Sequence, residues 1–177
     1  MIEKFIQYIK SEKRYSEHTI AAYKRDLDQF SFFLEKKYGI KDILSVNSEI
    51  VRSYIIDLKD EDLKNRSINR KISSLRSFYI FCLREKQISV TPLFGVKSMK
   101  QPKELVKFVP EHDIKKMQFE QNDDFLVRRD EIVFEILYQT GMRQAELRLI
   151  KDADVDINSK TIKVNGKRNK DRIITVG

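Results

Sequence analysis

Helical periodicity through the first 86 residues constrains the fold of this chain more than any other feature of its sequence. Apolar side chains recur there every three or four residues in four successive stretches, which begin at Ile2, Ile20, Ile50 and Ile68. This spacing places the apolar side chains of each stretch on one side of a helix. Because four such helices can cover one another's apolar sides, the sequence predicts a small helical bundle.

Residues that favour helix ends separate these stretches. Ser16 precedes the second stretch and Gly39 follows it, either Asn47 or Ser48 precedes the third, and Ser67 stands at the start of the fourth. Short polar side chains accept hydrogen bonds from the free amides of a first turn, and glycine tolerates the left-handed conformation that ends many helices. We therefore predict helix starts at these polar residues and a helix end at Gly39.

The periodicity fades after Gln87. Pro92, Gly95 and Pro102 follow among basic residues, and this composition is typical of a connection between domains. We predict a helical domain over residues 1–86, a basic linker over residues 87–106 and a second domain over residues 107–177.

The second domain has a mixed pattern. A helical pattern over Phe125–Gln139, with Ile132 facing inward, stops at Gly141, and a short helix is predicted to follow over residues 142–150. β-Branched residues then partly alternate over Thr161–Val164 and Arg172–Val176, which predicts a β-hairpin with a basic loop. The predicted fold class is mainly α, with a helical bundle first and the start of a mixed α/β domain second.

The net charge of +8 is unevenly placed along the chain. Residues 63–107 carry eleven Lys and Arg against two acids, a net of +9, and residues 160–172 carry six against one, a net of +5. The other residues are therefore net acidic. Concentrated positive charge favours a polyanionic partner, because neutralising phosphates releases counterions. A solvated charged surface is the alternative explanation of either segment taken alone.

Cysteine usage and hydropathy limit the kinds of site and the cellular location expected for this chain. Cys82 is the single cysteine, so an internal disulfide and a cysteine-rich metal site are excluded, and we expect a reducing cytoplasm. No apolar run reaches the length needed to cross a bilayer, and the first ten residues lack the apolar core of a signal peptide. No membrane partner is predicted.

The side of the fourth helix opposite its apolar stripe combines small hydroxyl residues with cations. Hydroxyl side chains let a helix approach a DNA backbone and bond its phosphate oxygens, and arginines bond phosphates or guanine edges. Packing through serines against another element is the alternative. The candidates for DNA contact are Arg66, Arg70, Lys71, Ser74, Arg76 and Ser77 on this helix, and Thr19, Lys24 and Arg25 on the second helix.

A second candidate site follows the turn at Gly141. Arg143 opens the short helix there, where a guanidinium and the amides of a helix N-terminus can hold an anion. Glu146, three residues on, could orient Arg143 or pair with another cation. From spacing alone, a surface arginine at a helix corner is the favoured explanation.

The loop of the predicted hairpin is a third candidate site, since it carries Lys167, Arg168 and Lys170. Such a loop could enter a DNA groove, and a lysine there could donate a proton to a leaving alkoxide. In isolation, the loop is better explained as a solvent-exposed turn.

Taken together and in this order, the segments resemble the amino-terminal portion of the tyrosine recombinases, the phage-integrase and Xer-type enzymes. Residues 15–23 resemble the family's opening segment, residues 70–79 its last DNA-clamping helix, and Pro92 with Lys100-Gln-Pro-Lys103 its interdomain linker. The most specific segments are Leu137-Tyr-Gln-Thr-Gly-Met-Arg-Gln-Ala-Glu-Leu147 and Val164-Asn-Gly-Lys-Arg-Asn-Lys-Asp-Arg172.

The resemblance implies a role for each matched residue. Arg143 matches the arginine that binds the scissile phosphate and stabilises its charge in the transition state. Lys167 matches the hairpin lysine that acts as general acid toward the leaving 5′ oxygen, and Glu146 matches a mainly structural residue. Lys103 in the linker, and Arg168 and Lys170 in the hairpin loop, join the residues expected to contact DNA.

The resemblance also implies an architecture and a reaction. The first domain would be the family's SAM-like core-binding domain, and the two domains would form a clamp around double-stranded DNA. The parent enzymes assemble four protomers on two recombination sites. They cleave and rejoin DNA through a 3′-phosphotyrosyl link, which conserves the phosphodiester energy, so neither ATP nor an obligatory metal is expected as a cofactor.

Two departures from the family pattern matter. Arg168 stands where members often have Gly after the hairpin lysine, so either Lys167 or Lys170 could point at the phosphate, and motif position favours Lys167. The family's later His-x-x-Arg motif and its nucleophilic tyrosine are absent from the 177 residues. We therefore expect this stretch not to cleave DNA by itself, to expose apolar surface in its second domain and to be monomeric.

Two alternatives remain open. The chain could be a truncated, non-catalytic module that occupies recombination sites rather than a fragment of a longer enzyme. It could also be a helical protein-interaction domain with no role in DNA binding, although the clustered basic residues and the two motifs argue against that.

Overall fold

The computed structural model describes residues 1–102, 105, 108–115, 124–166 and 170–177, with Lys115 and Lys170 described by their backbone alone. The chain divides into two compact units, Met1–Leu105 and Val106–Gly177. Among the described residues, no helix combines the length and the apolar character that a membrane span requires.

The first unit contains four α-helices, as the periodicity predicts. They are α1 (Ile2–Ser11), α2 (Glu17–Tyr38), α3 (Ser48–Asp60) and α4 (Asn65–Arg84). All four contribute to one hydrophobic core, which includes three fully buried aromatic side chains on different helices: Phe5, Phe30 and Phe78.

Local signals set most of the ends of these helices. Ser16 caps α2 by accepting a hydrogen bond from the amide of Thr19, and Asn47 caps α3 in the same manner. Gly39 ends α2 with φ of +65°, the left-handed conformation that favours glycine. The predicted cap at Ser67 is wrong, because α4 begins at Asn65 and the amide of Ser67 already bonds to the carbonyl oxygen of Lys64.

The segment that follows α4 packs on the bundle as far as Lys100. Leu93 and Val96 are buried in its core. The side chain of Asn69 donates to the carbonyl oxygen of Met99 at 2.9 Å and accepts from its amide at 2.7 Å, and Asn65 donates to the carbonyl oxygen of Lys100 at 2.8 Å. The first compact unit therefore extends through most of the segment that composition alone marks as a linker.

Among its described residues, the second unit combines three α-helices and a 3₁₀ turn (Asp152–Asp154) with a three-stranded antiparallel sheet. Its helices are α5 (Glu111–Lys115), α6 (Phe125–Thr140) and α7 (Gln144–Leu147), and its strands are β1 (Val155–Asp156), β2 (Thr161–Gly166) and β3 (Lys170–Thr175). The strand order is β1-β2-β3, and Val164 pairs with Arg172 in the predicted hairpin. Strand β1 escaped the sequence analysis, since two residues are too few to show alternation.

The core of the second unit is small. Met142, Ile162 and Val164 are its buried hydrophobic residues among those described. Ile132 was expected to face inward, but its side chain is exposed, because the described elements do not cover that side of α6. The predicted exposed apolar surface is present and includes Phe125, Ile132, Tyr138, Leu149, Ile157 and Ile173.

Candidate nucleic-acid interface

One side of α4 faces solvent along the length of the helix. Its residues recur every three or four positions, so they form a single stripe. Four of the six members are polar or charged and exposed, Ser77 is half-buried, and Ile80 is an exposed apolar residue. We call this surface the α4 face and define it by Arg66, Arg70, Ser73, Ser77, Ile80 and Arg84.

Two predicted DNA-contact residues of α4 lie inside the bundle instead. Lys71 is 5% exposed and Ser74 is 4% exposed, and both side chains contact Asp26 of α2. The helical-wheel interpretation placed them outward because it considered only the apolar stripe of α4. Since α4 packs against α1, α2 and α3, its buried sector is wider than that stripe. We therefore remove Lys71 and Ser74 from the candidate interface.

The other α4 candidates remain accessible to differing degrees. Arg70 donates from Nη1 to the carboxylate of Asp26, and 46% of its side chain stays exposed. Arg76 is half-buried and donates to the carbonyl oxygen of Val96 at 3.1 Å. The hydroxyl of Ser77 lies 3.4 Å from that of Tyr23. Arg66 is exposed.

The α2 candidates lie in the first three turns of that helix. The hydroxyl of Thr19 lies 2.8 Å from that of Ser16, within the N-terminal cap. Lys24 forms an exposed ion pair with Glu3 at 3.2 Å, and Arg25 is exposed. An exposed ion pair contributes little to stability, so the ammonium of Lys24 can exchange Glu3 for a phosphate at small cost.

In the second unit, two arginines converge on one buried carboxylate. Arg143 is the N-cap residue of α7, and its amide donates to Glu146 Oε2 at 2.8 Å while its Nη1 donates to Oε1 at 2.7 Å. Arg172, on β3, donates to the same two oxygens at 3.0 and 2.8 Å. Both alternatives considered for Glu146 therefore occur together, since it orients Arg143 and pairs with another cation.

This arrangement leaves Arg143 available to an anion. Hydrogen bonds from Arg172 and from the amide of Arg143 lower the pKa of Glu146 to about 2, so the carboxylate stays charged over the physiological range. The Arg143 side chain is nevertheless 66% exposed. Because a guanidinium carries five N–H donors, a side chain anchored through one nitrogen retains donors for a phosphate.

Several predicted residues cannot be placed. Lys103, Lys167 and Arg168 lie outside the described residues, as does the side chain of Lys170. The described ends of the hairpin loop, Gly166 and Lys170, pair across β2 and β3. The roles assigned to these four residues therefore stay predictions.

Two residues escaped the sequence analysis. Arg172 was considered only as part of the hairpin, although a cation in a strand that follows a basic loop is a reasonable partner for Glu146. No sequence pattern indicated a role for Asp26, because its hydrogen-bond partners lie more than forty residues away in α4.

Comparison with known proteins assigns both units to one family. Residues 2–86 match the model of the phage integrase N-terminal SAM-like domain, and residues 107–177 match that of the phage integrase family. The chain therefore belongs to the phage integrase family of tyrosine recombinases, which confirms the predicted family and fold class.

Individual relatives agree with this family. The chain is 39% identical over 175 residues to tyrosine recombinase XerC of Bacillus licheniformis, covering 98% of this chain and 57% of that protein. It is 37% identical over 178 residues to tyrosine recombinase XerC of Listeria innocua, covering 99% and 59%. The chain thus spans less than two thirds of the length of these relatives.

A solved structure shows the same fold. A lambda integrase dimer bound to a COC' core site matches with a TM-score of 0.73 at 14% identity, covering 98% of this chain and 58% of that one. At this identity the likeness supports the fold alone.

The Glu146 cluster predicts a pH-dependent stability. The pKa of Glu146 is about 2 in the folded chain against an ordinary value of 4.5, so its charged form stabilises the fold. This stabilisation is complete above the ordinary pKa and disappears as the pH falls from there toward the folded pKa. Urea unfolding followed by circular dichroism is expected to show Glu146→Gln less stable than the unmodified chain at neutral pH, with the difference shrinking on acidification.

An exposed glutamate of α6 provides the control for this measurement. Glu135→Gln is expected to follow the pH profile of the unmodified chain, because Glu135 is exposed on the surface of the helix. A Glu146→Gln profile parallel to that of the unmodified chain at every pH contradicts the role assigned to the cluster.

Proposed function

We propose that these 177 residues bind double-stranded DNA through α4 and α2 and hold one backbone phosphate with Arg143. The observation that carries this proposal is the geometry of Arg143, whose guanidinium is anchored by Glu146 at the start of a helix and remains largely exposed. In a chain of the tyrosine recombinase family, an exposed guanidinium held in one place is suited to a scissile phosphate.

Each of the two units contributes predicted DNA contacts of its own. Arg66, Arg70, Arg76 and Ser77 on α4, and Thr19, Lys24 and Arg25 on α2, supply the first unit's contacts. Lys103, Arg168 and Lys170 complete the set on the sequence pattern alone. The lambda integrase dimer of similar fold is bound to a COC' core site, and we propose a DNA partner for this chain by analogy with it.

We further propose that the chain contributes to site-specific cleavage and rejoining through a 3′-phosphotyrosyl intermediate. A tyrosine oxygen would form the bond to phosphorus as the bond to the 5′ oxygen breaks, with Arg143 stabilising the charge on the phosphate. Lys167 would donate the proton that the leaving 5′ oxygen takes up. Four protomers on two recombination sites would be the assembly of the complete enzyme.

The 177 residues by themselves are proposed to position DNA without cutting it. No tyrosine among them follows a His-x-x-Arg motif, which is the context of the family's nucleophile. This favours a second candidate function, a monomeric module that occupies recombination sites. A suicide substrate tests the distinction, because a covalent DNA adduct formed by these residues alone contradicts the proposed inactivity.

DNA binding is tested by gel shift with a mixed-sequence duplex at several salt concentrations. The logarithm of the affinity is expected to fall linearly with the logarithm of the salt concentration, with a slope of about −0.9 for each phosphate neutralised. About four such contacts from the exposed cations of α2 and α4 give a slope of about −4, and each further contact by Arg143 or the hairpin loop makes the slope steeper. Absence of binding, or binding insensitive to salt, excludes the DNA-binding function.

A further inference from the structure

A buried carboxylate connects α2 to α4 directly beneath the α4 face. The side chain of Asp26 is fully buried, and all three of its described partners lie on α4. Arg70 donates to Oδ2, Ser74 donates to the same oxygen at 2.7 Å, and the ammonium of Lys71 lies 3.4 Å from Oδ1. One carboxylate therefore contacts two successive turns of the helix that carries the candidate DNA contacts.

Such a carboxylate requires its partners. An unpaired buried charge is strongly destabilising, so Asp26 has to keep its hydrogen bonds, and the donors have to stay in place. Because Arg70 is one of these donors, the contact restricts the conformation of its side chain.

The charge of the cluster suits an anionic ligand. Asp26 alone would neutralise Arg70, but the buried ammonium of Lys71, which also contacts Gln29, adds a second positive charge. One carboxylate and two cations leave a net charge of +1. Arg70 is the most exposed of the three side chains, so its guanidinium is the part of this positively charged cluster that an anionic ligand can contact.

Fixing Arg70 before DNA arrives also lowers the entropy that binding has to remove. A free arginine side chain loses considerable rotamer freedom when it is immobilised at an interface. Arg70 is already bound through Nη1, and five donors per guanidinium leave others for DNA on its exposed part.

We propose that Asp26 is a positioning residue for DNA binding, which fixes the guanidinium of Arg70 on the α4 face, while Lys71 keeps the cluster positive. This inference rests on the proposed DNA-binding function. Asp26 does not touch DNA in this scheme and acts through Arg70 alone.

A double-mutant cycle tests this coupling. Gel shifts with a mixed-sequence duplex compare the unmodified chain with Asp26→Asn, Arg70→Ala and the double variant. Arg70→Ala is expected to weaken binding about 5- to 150-fold if it reads a base and less if it contacts only a phosphate. Asp26→Asn is expected to weaken binding about 3- to 10-fold, but less than about 2-fold once Arg70 is already Ala, because the coupling runs through that side chain.

A matched control distinguishes the positioning role of Asp26 from a purely structural role. Val51→Ala removes buried volume on α3 without altering Asp26 or Arg70, and it is expected to lower stability while leaving DNA affinity within about 2-fold at a temperature where both variants are folded. If Asp26→Asn weakens binding equally with and without Arg70, the positioning role is overturned although DNA binding stands. If the unmodified chain does not bind DNA, the proposed function itself fails.

A measurement on the unmodified chain covers the case in which Asp26→Asn does not fold. NMR of the Arg70 side chain is expected to show separate Nη signals in the absence of DNA, because the contact with Asp26 slows rotation of the guanidinium. A single averaged signal contradicts a fixed Arg70.

Discussion

Replacing Arg143 with Ala, in a full-length recombinase that contains these 177 residues, is expected to lower the rate of DNA cleavage by at least about 10²-fold. The loss arises because the guanidinium is proposed to stabilise charge that develops on the phosphate. Overall DNA affinity is expected to change little, since most of the binding contacts are proposed to lie on other residues. Single-turnover cleavage and gel shifts measure the two effects separately.

The contacts of Glu146 explain why the Arg143→Ala variant should still fold. Glu146 loses the hydrogen bond from Arg143 Nη1 but keeps both bonds from Arg172, at 3.0 and 2.8 Å. The buried carboxylate therefore remains paired. The amide of Arg143 also continues to donate to Glu146, since the backbone is unchanged.

Arg148→Ala is the matched control for the cleavage experiment. It removes the same charge five residues away, at the exposed end of α7, and is expected to cleave at nearly the normal rate. Cleavage by Arg143→Ala at the rate of the unmodified enzyme shows that the assigned role is wrong.

A large loss of stability is expected from Phe78→Ala in the first unit. Phe78 is fully buried on α4. The centroid of its ring lies 5.6 Å from that of Phe5, in an edge-on arrangement, and 5.1 Å from that of Tyr79. Removing a buried phenyl ring costs about 3–5 kcal/mol, through lost burial and the cavity left behind. Since domains are stable by only about 5–15 kcal/mol, this variant should approach the limit of folding.

An exposed phenylalanine provides the comparison. Phe32 on α2 is 65% exposed, and Phe32→Ala is expected to change the free energy of unfolding by less than about 0.5 kcal/mol. Urea unfolding followed by circular dichroism measures both variants. Equal losses for the two positions contradict the assignment of Phe78 to the core.

The sequence alone determined the helices of the first unit and the hairpin of the second. Ser16, Asn47, Gly39 and Gly141 act within one or two turns of their own position, so their roles as helix ends are readable without a structure. The apolar periodicity identifies the residues that a helix must bury, because burial of that stripe stabilises the bundle whichever helix covers it. The family likewise followed from several contiguous segments taken together and in order, and the role predicted for Arg143 came from that resemblance.

The tertiary structure decided which polar residues face solvent. Lys71 and Ser74 lie beside the apolar stripe of α4, where a polar side chain can point either way. Asp26 turns them inward, and that carboxylate belongs to α2, more than forty residues earlier. Periodicity within one helix carries no information about a charge supplied by another.

Contacts with distant parts of the chain also account for the other differences between the sequence-based predictions and the structure. Residues 87–100 look like part of a linker by composition, but they pack on the bundle because Asn65 and Asn69 of α4 bind their backbone and Leu93 and Val96 are buried. Arg172 joins Glu146 only because β3 passes α7. Helix ends and apolar stripes depend on near neighbours in the chain, whereas the partners of buried charges are fixed only when distant elements pack together.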